Sequence, residues 1–133
     1  MKYALDSNTV SYLLRKNPQV ENKIKETVDN GNEYILPPMV YYEVKRWLKL
    51  KNATAQLAIF GNLCQFTKII EMDIHTFEKA IEIYIALAKN GNLIGDTDIL
   101  IAAFCVVNGY TLVTNNTGEF SRISDLKLEN WIQ

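Results

Sequence analysis

The chain is poor in the residue types that most metal and redox sites use. Its 133 residues include one histidine, His75, and two cysteines, Cys64 and Cys105. A zinc site built on Cys and His ligands is unsupported, and so is a disulfide framework. Both cysteines fall in stretches that read as helical and apolar, which fits buried free thiols in a reducing compartment. The longest unbroken apolar run, Ile99 to Val107, is far short of the roughly 20 residues that span a bilayer. The opening MKYALDSNTV has no apolar core long enough for a signal peptide. Together these absences lead us to expect a cytoplasmic protein. Charge is also nearly balanced, with 14 basic and 15 acidic side chains and a net charge of −1. No global field announces a nucleic-acid partner, so such a partner would need a local basic patch. The sequence contains no G-x-x-x-x-G-K-[ST], no G-x-G-x-x-G and no G-x-S-x-G, which leaves phosphate-binding loops and a nucleophile elbow without support.

What is present suits one soluble domain over residues 1–133, with 48% hydrophobic and 22% charged residues. Short apolar runs at Lys2 to Leu5, Glu33 to Leu36, Lys68 to Glu71 and Thr111 to Thr114 read as strands, with Leu126 to Trp131 as a last, edge strand. Helical spacing marks Thr9 to Arg15, Gln19 to Asn30, Pro38 to about Lys51, Ala53 to Phe66, and a stretch capped by Asp73 that runs to Lys89. In that last helix Phe77, Ala80, Ile81, Tyr84, Ile85 and Ala88 recur at core spacing. Asp96 to Val107 is apolar almost all round and is expected to be central and buried. Asn-Gly pairs at Asn30, Asn90 and Asn108 each close a helix with a left-handed glycine. Strands alternating with helices predict an α/β fold with a mainly parallel sheet covered on both faces. In such sheets ligands bind beyond the carboxyl ends of strands.

Most acidic residues, Glu129 among them, sit among polar neighbours or at element ends and read as solvated. Five stand apart. Asp6 directly follows the first strand, where a helix N-cap and a functional carboxylate are equally good readings. Glu43 falls inside the apolar arc of its helix, flanked by Met39, Val40, Trp47 and Leu50, where an unpaired carboxylate is costly without a partner or a metal. Asp96 and Asp98 open the central apolar helix. Capping and the helix dipole account well for one of them, less well for two close charges that repel. Glu119 follows the Thr111 to Thr114 strand and alone could be any surface glutamate. These segments deliver oxygen ligands without cysteine or histidine, which points to a hard cation, Mg²⁺ or Mn²⁺. Such an ion lowers the pKa of water and stabilises charge on phosphoryl oxygens, the logic of metal-assisted phosphodiester hydrolysis. Lys45, Arg46 and Lys49 follow Glu43 closely and read first as an ordinary solvated helix face, with contacts to RNA phosphates as the functional alternative.

Four blocks, MKYALDSNTVSYLL, PPMVYYEVKRWL, IGDTDILIAAFCVVNGYTLVTNNTGEF and LKLENW, resemble a PIN-domain ribonuclease, and more specifically VapC, the toxin of a type II toxin–antitoxin pair. They occur in family order and span nearly the whole chain. The resemblance implies a three-layer α/β/α fold and a Mg²⁺- or Mn²⁺-dependent endoribonuclease. It assigns Asp6, Glu43 and Asp98 as the catalytic and metal-holding acids, with Asp96 as an additional acid found in many members. Asn116 stands where other PIN domains carry a fourth acid, and Glu119 offers partial compensation. Ser7 replaces the common threonine and keeps a hydroxyl that can orient Asp6. The TNNT-x-EF block resembles members that cut initiator tRNA in its anticodon loop. The resemblance also implies a VapB-like antitoxin, docked in the groove formed by the N-terminal helices and the helix after Glu43, and a toxin homodimer.

Two rival readings remain open. A catalytically silent PIN-like module that binds RNA or protein draws its support from Asn116. A small Mg²⁺ phosphatase would carry a second acid two residues after Asp6, and Asn8 stands there instead.

Overall fold

The short apolar runs form strands of one parallel sheet, and the helical stretches between them are the crossovers that parallel pairing requires. The computed structural model describes residues 1–132. Strands β1 (Lys2–Leu5), β2 (Glu33–Leu36), β3 (Lys68–Ile69), β4 (Thr111–Val113) and β5 (Leu128–Glu129) lie in the order β3-β2-β1-β4-β5, each neighbouring pair parallel. The helices are α1 (Ser7–Leu14), α2 (Pro18–Asp29), α3 (Pro38–Leu50), α4 (Thr54–Phe66), α5 (Ile74–Lys89), α6 (Asp96–Asn108) and the short α7 (Thr117–Phe120). They flank the sheet in an α/β/α arrangement. The three central strands are buried along nearly their whole length, which is why they read as unbroken apolar runs rather than alternating ones.

Local signals behave as expected at most boundaries. Asp73 caps α5 by accepting from the His75 and Thr76 amides at 3.1 and 3.3 Å, and His75 itself is exposed. Pro38 occupies the first turn of α3. Gly31, Gly91 and Gly109 have φ of 76°, 68° and 73°, the left-handed geometry inferred from the Asn-Gly pairs. Helix α6 is the buried centre, with Ile101, Ala102, Ala103, Phe104 and Cys105 fully enclosed. Cys64, expected to be buried, is only half-buried, and both thiols are free.

Two faces were placed wrongly by periodicity. On α5 the buried stripe is Thr76, Ala80, Ile83 and Leu87, which packs on α6, while Phe77, Ile81, Tyr84 and Ile85 face outward. The helix carries apolar residues on both sides, so spacing alone does not say which side the core takes. On α3 the buried stripe is Val40, Val44 and Leu48; Trp47 and Leu50, read as flanking a buried Glu43, are 46% and 81% exposed. Glu129, read as solvated, is half-buried and accepts from the Trp131 indole at 3.1 Å. That ring stands edge-on to Tyr3 and Tyr34 at 5.5 and 6.2 Å, which pins the end of the chain against β1 and β2. Among the described residues no helix is long and apolar enough to cross a membrane.

Candidate active site

The chain runs from β1 outward to β2 and β3, then crosses back to β4 on the other side of β1. The β1/β4 boundary is therefore the switch point where open parallel sheets hold ligands. Asp6 leaves the carboxyl end of β1 there, and its amide continues the ladder to the Val113 carbonyl at 3.0 Å. Its side chain is almost fully buried and is held by three donors: the Ser7 amide at 2.9 Å, the Asn8 amide group at 3.1 Å and the Thr114 hydroxyl at 2.8 Å. Asp6 is thus both the N-cap of α1 and the centre of a polar cluster, so the two readings of its position hold together. Burial pushes its carboxyl above the ordinary carboxylate range, with Glu43 adding to the rise, while the Thr114, Ser7 and Asn8 hydrogen bonds pull it back.

Ser7 does not orient Asp6 through its hydroxyl, as the residue pattern led us to expect. The backbone amide serves Asp6, and the hydroxyl donates to Glu43 across the α1/α3 gap at 3.1 Å. Ser7 thereby ties the first two acids together. Glu43 is half-exposed rather than sunk in the core, because the Trp47 and Leu50 side of α3 faces solvent. Among the described residues no lysine or arginine pairs with Asp6, Glu43, Asp98 or Glu119.

Asp98, half-buried in the first turn of α6, joins this group. Its carboxyl is pushed up to about 6, first by burial and then by the charges of Asp6, Glu119 and Glu43. The charges that raise it come from other elements of the fold, and Asp96, two residues earlier, is exposed. Neither aspartate caps α6, whose N-cap is Gly95 with no side-chain bond. Asn116 lies at the start of α7 and donates its side-chain amide to Glu119 at 3.2 Å, so the residue in the fourth-acid position aims the glutamate beside it.

Two residues outside the expected set complete the floor. Thr114, fully buried at the end of β4, donates to Asp6 and accepts from the Asn8 side chain and the Asn116 amide, both at 3.0 Å. Asn8 in turn accepts from the Asn115 amide at 3.0 Å, which clamps the loop after β4 onto α1. Their signal lay in the polar residues at strand ends, but the adjacency of β1 and β4 that joins them is a property of the sheet order.

The basic trio on α3 separates. Lys45 donates to the Tyr41 hydroxyl at 2.8 Å and lies over that ring. Arg46 faces a groove of about 390 Å³ that opens beside Ser7 and Glu43, and Lys49 is exposed.

The donor set suits a hard cation, being all oxygen and bearing several negative charges that no lysine or arginine among the described residues pairs with. Among the described residues no three Asp, Glu, His or Cys side chains form a ready-made cage for an ion.

The PIN domain family matches residues 3–126. Ribonuclease VapC2 of Rickettsia felis is 32% identical over 135 residues, covering 98% of this chain and 98% of the relative. Ribonuclease VapC2 of Haemophilus influenzae is 30% identical over 134 residues, covering 99% of each. The tRNA(fMet)-specific endonuclease VapC of Shigella flexneri is 25% identical over 135 residues, covering 98% of each. Among solved structures, a chain in VapBC2 from Rickettsia felis bound to a DNA fragment from their promoter superposes with a TM-score of 0.86 at 29% identity, covering 99% of this chain and 100% of that one. With the family matched from β1 to the loop before β5 and a relative at 32% identity over its full length, the chain belongs to the PIN-domain family, among its VapC ribonucleases.

Proposed function

We propose that this ribonuclease is the metal-dependent endoribonuclease toxin of a toxin–antitoxin module, acting in the cytoplasm. The observation that carries the reading is that Asp6, Glu43 and Glu119, from three other segments, all act on Asp98, while among the described residues no lysine or arginine forms an ion pair with any of the four. Asp6, Glu43 and Asp98 would hold Mg²⁺ or Mn²⁺, directly or through water, with Glu119 and Asn116 in support and Asp96 at the exposed edge. When bound, the ion supplies activation of water and charge stabilisation on the phosphoryl oxygens. The chain's own part is orientation. Thr114, Asn8 and the Ser7 amide fix the Asp6 carboxylate, the Ser7 hydroxyl fixes Glu43, and Asn116 fixes Glu119. Attack by water, rather than by the ribose 2′-hydroxyl, leaves a 5′-phosphate and a 3′-hydroxyl.

The substrate we assign is initiator tRNA, cut in its anticodon loop. The Shigella flexneri relative that carries a tRNA(fMet)-specific name is similar over nearly the whole chain, and single-stranded loops present splayed bases to a shallow site. The partner is a VapB-type antitoxin, as in the VapBC complexes whose toxin chain superposes on this one. A second copy of the chain covers the outward apolar face of α5.

The test is cleavage of end-labelled initiator tRNA by antitoxin-free protein in Mg²⁺, Mn²⁺ or EDTA, beside Asp6→Ala. A metal-dependent cut that vanishes in Asp6→Ala supports the nuclease and its site. A cut confined to other RNAs removes the substrate, and 2′,3′-cyclic phosphate ends remove the water mechanism. No cut of any RNA by folded, metal-loaded protein would favour the silent binding module.

A further inference from the structure

Helices α1, α2 and α5 each start on a capping side chain, from Asp6, Asn17 and Asp73. Helices α6 and α7, which carry Asp98 and Glu119, start without one. The segment that leads into α6, residues 90–95, contains Gly91 and Gly95, and Ile94 is its one buried residue. Glycine adds backbone freedom, so little within this segment fixes the first turn of α6. Helix α7 is a single turn anchored by the fully buried Phe120. Asp98 and Glu119 repel each other, which works to spread the two turns while no ion is bound.

Arg122 joins the two segments. Its backbone amide donates to the Glu119 carbonyl at 3.1 Å, at the end of α7. Its guanidinium Nη1 donates to the Asn92 and Leu93 carbonyls, both at 3.3 Å. Among the described residues it forms no ion pair, although Glu82 and Asp125 line the same groove; both go to Lys79 instead.

We propose that Arg122 is a positioning residue for the cut: it ties the segment before α6 to the turn of α7 and so sets the spacing of Asp98 and Glu119 before an ion arrives. The inference rests on the metal-dependent reading above. An ion that draws on both carboxylates, directly or through water, binds well only to molecules in which they are correctly spaced. Its apparent affinity falls with the fraction of molecules so arranged. The bound ion then holds the pair itself, and the tie becomes redundant. The guanidinium is committed to main-chain oxygens, so it acts through the two acids and not on the phosphate. The sign of the effect separates a tie from simple charge. By Coulomb's law, loss of a cation beside an acidic site tightens metal binding. Loss of a tie weakens it.

The test measures Mn²⁺ binding to the antitoxin-free full chain by calorimetry, in wild type and Arg122→Gln. Hydrogen exchange in EDTA and cleavage of end-labelled initiator tRNA over a Mn²⁺ series accompany it. Arg122→Gln should weaken Mn²⁺ binding about fivefold. In EDTA the Ile99 and Phe120 amides, which close the first turns of α6 and α7, should exchange faster, with those of β1 unchanged. Cleavage should need about five times more Mn²⁺, with kcat and the KM for RNA restored at saturation. Arg122→Lys, whose single ammonium can serve both carbonyls, should recover Mn²⁺ binding. Lys79→Gln, which removes a cation from the same groove but no bond to the segment before α6, should not weaken it. Arg122→Gln that binds Mn²⁺ as tightly as the wild type, or more tightly, overturns the proposal and leaves the nuclease intact, whether or not its melting temperature falls. A KM for RNA that stays raised at saturating Mn²⁺ gives Arg122 to a substrate phosphate, which also overturns it. A folded wild type that binds no Mn²⁺ removes the metal-dependent reading, and this inference with it.

Discussion

Thr114 gives its hydroxyl proton to Asp6 at 2.8 Å, joining the ends of the two adjacent parallel strands β4 and β1. The same oxygen accepts from the Asn8 side chain and the Asn116 amide. Thr114→Val keeps the shape and removes all three bonds. We expect a loss of roughly 2 kcal/mol in fold stability, since buried donors and an acceptor lose their partner. The Thr114 bond also favours the ionised form of Asp6. Without it the Asp6 carboxyl takes up its proton at higher pH, so the acid limb of the activity profile moves up. Thr114→Ser should restore both. Urea unfolding and a pH–rate profile check this, and an unmoved acid limb in Thr114→Val would show that Asp6 is held by other means.

How much of this site could be read in the sequence follows from what each residue depends on. Asp6 and β1 are local: an apolar run, then a carboxylate, then a helix. Their positions were legible to the residue. Thr114 depends on which strands are neighbours, and nothing local to TLVT places β4 beside β1. Ser7 was legible as a hydroxyl beside Asp6, but its partner is Glu43 on another helix. Glu43 was singled out for an apolar arc that proves to be two stripes, one buried and one exposed. The residue stands in the site all the same, for a reason the periodicity did not contain.

Asp98 makes the metal-free fold sensitive to pH. Its carboxyl rises from 3.8 to about 6 on folding. A raised carboxyl binds its proton more readily in the folded chain, so between those values stability falls as pH rises. Asp6 is raised as well and acts in the same direction. In EDTA the protein should therefore be more stable at pH 5 than at pH 7. Asp98→Asn removes the larger part of that slope and raises stability at pH 7 by about 1 kcal/mol after allowing for its partial exposure, while abolishing cleavage. Urea melts at the two pH values decide it; equal stability would place Asp98 outside the field of the other acids.

Asn116 donates to Glu119 at the position where a fourth acid is expected. Asn116→Asp exchanges that donor for another negative charge. In EDTA the variant should melt below the wild type, because the added carboxylate meets Glu119 and Asp98 without relief. Mg²⁺ should then raise its melting temperature by more than it raises that of the wild type, since binding to the folded state alone stabilises it by about 2.7 kcal/mol at a hundredfold excess over Kd. Calorimetry with and without Mg²⁺ reads both effects. A Mg²⁺ shift no larger than that of the wild type would place Asn116 outside the ion's reach.

The outward face of α5 makes the last test one of assembly. Phe77, Ile81, Tyr84 and Ile85 are all exposed on it, Ile81 at 53%, while Thr76, Ala80, Ile83 and Leu87 hold the helix to α6. The two faces are separable, so a charge can be placed on the outer one without touching the core. Contiguous apolar surface of this kind marks an interface more often than a solvated helix. If a second copy covers it, Ile81→Glu should turn a dimer into a monomer in light scattering with unchanged helix content by circular dichroism. The active-site residues lie elsewhere, at the start of α1, on α3, in the first turn of α6 and around α7, so the monomer should still bind Mg²⁺ and show the same thermal shift as the wild type. A variant that remains dimeric would move the self-association surface off α5, and a wild type that is already monomeric would remove the homodimer.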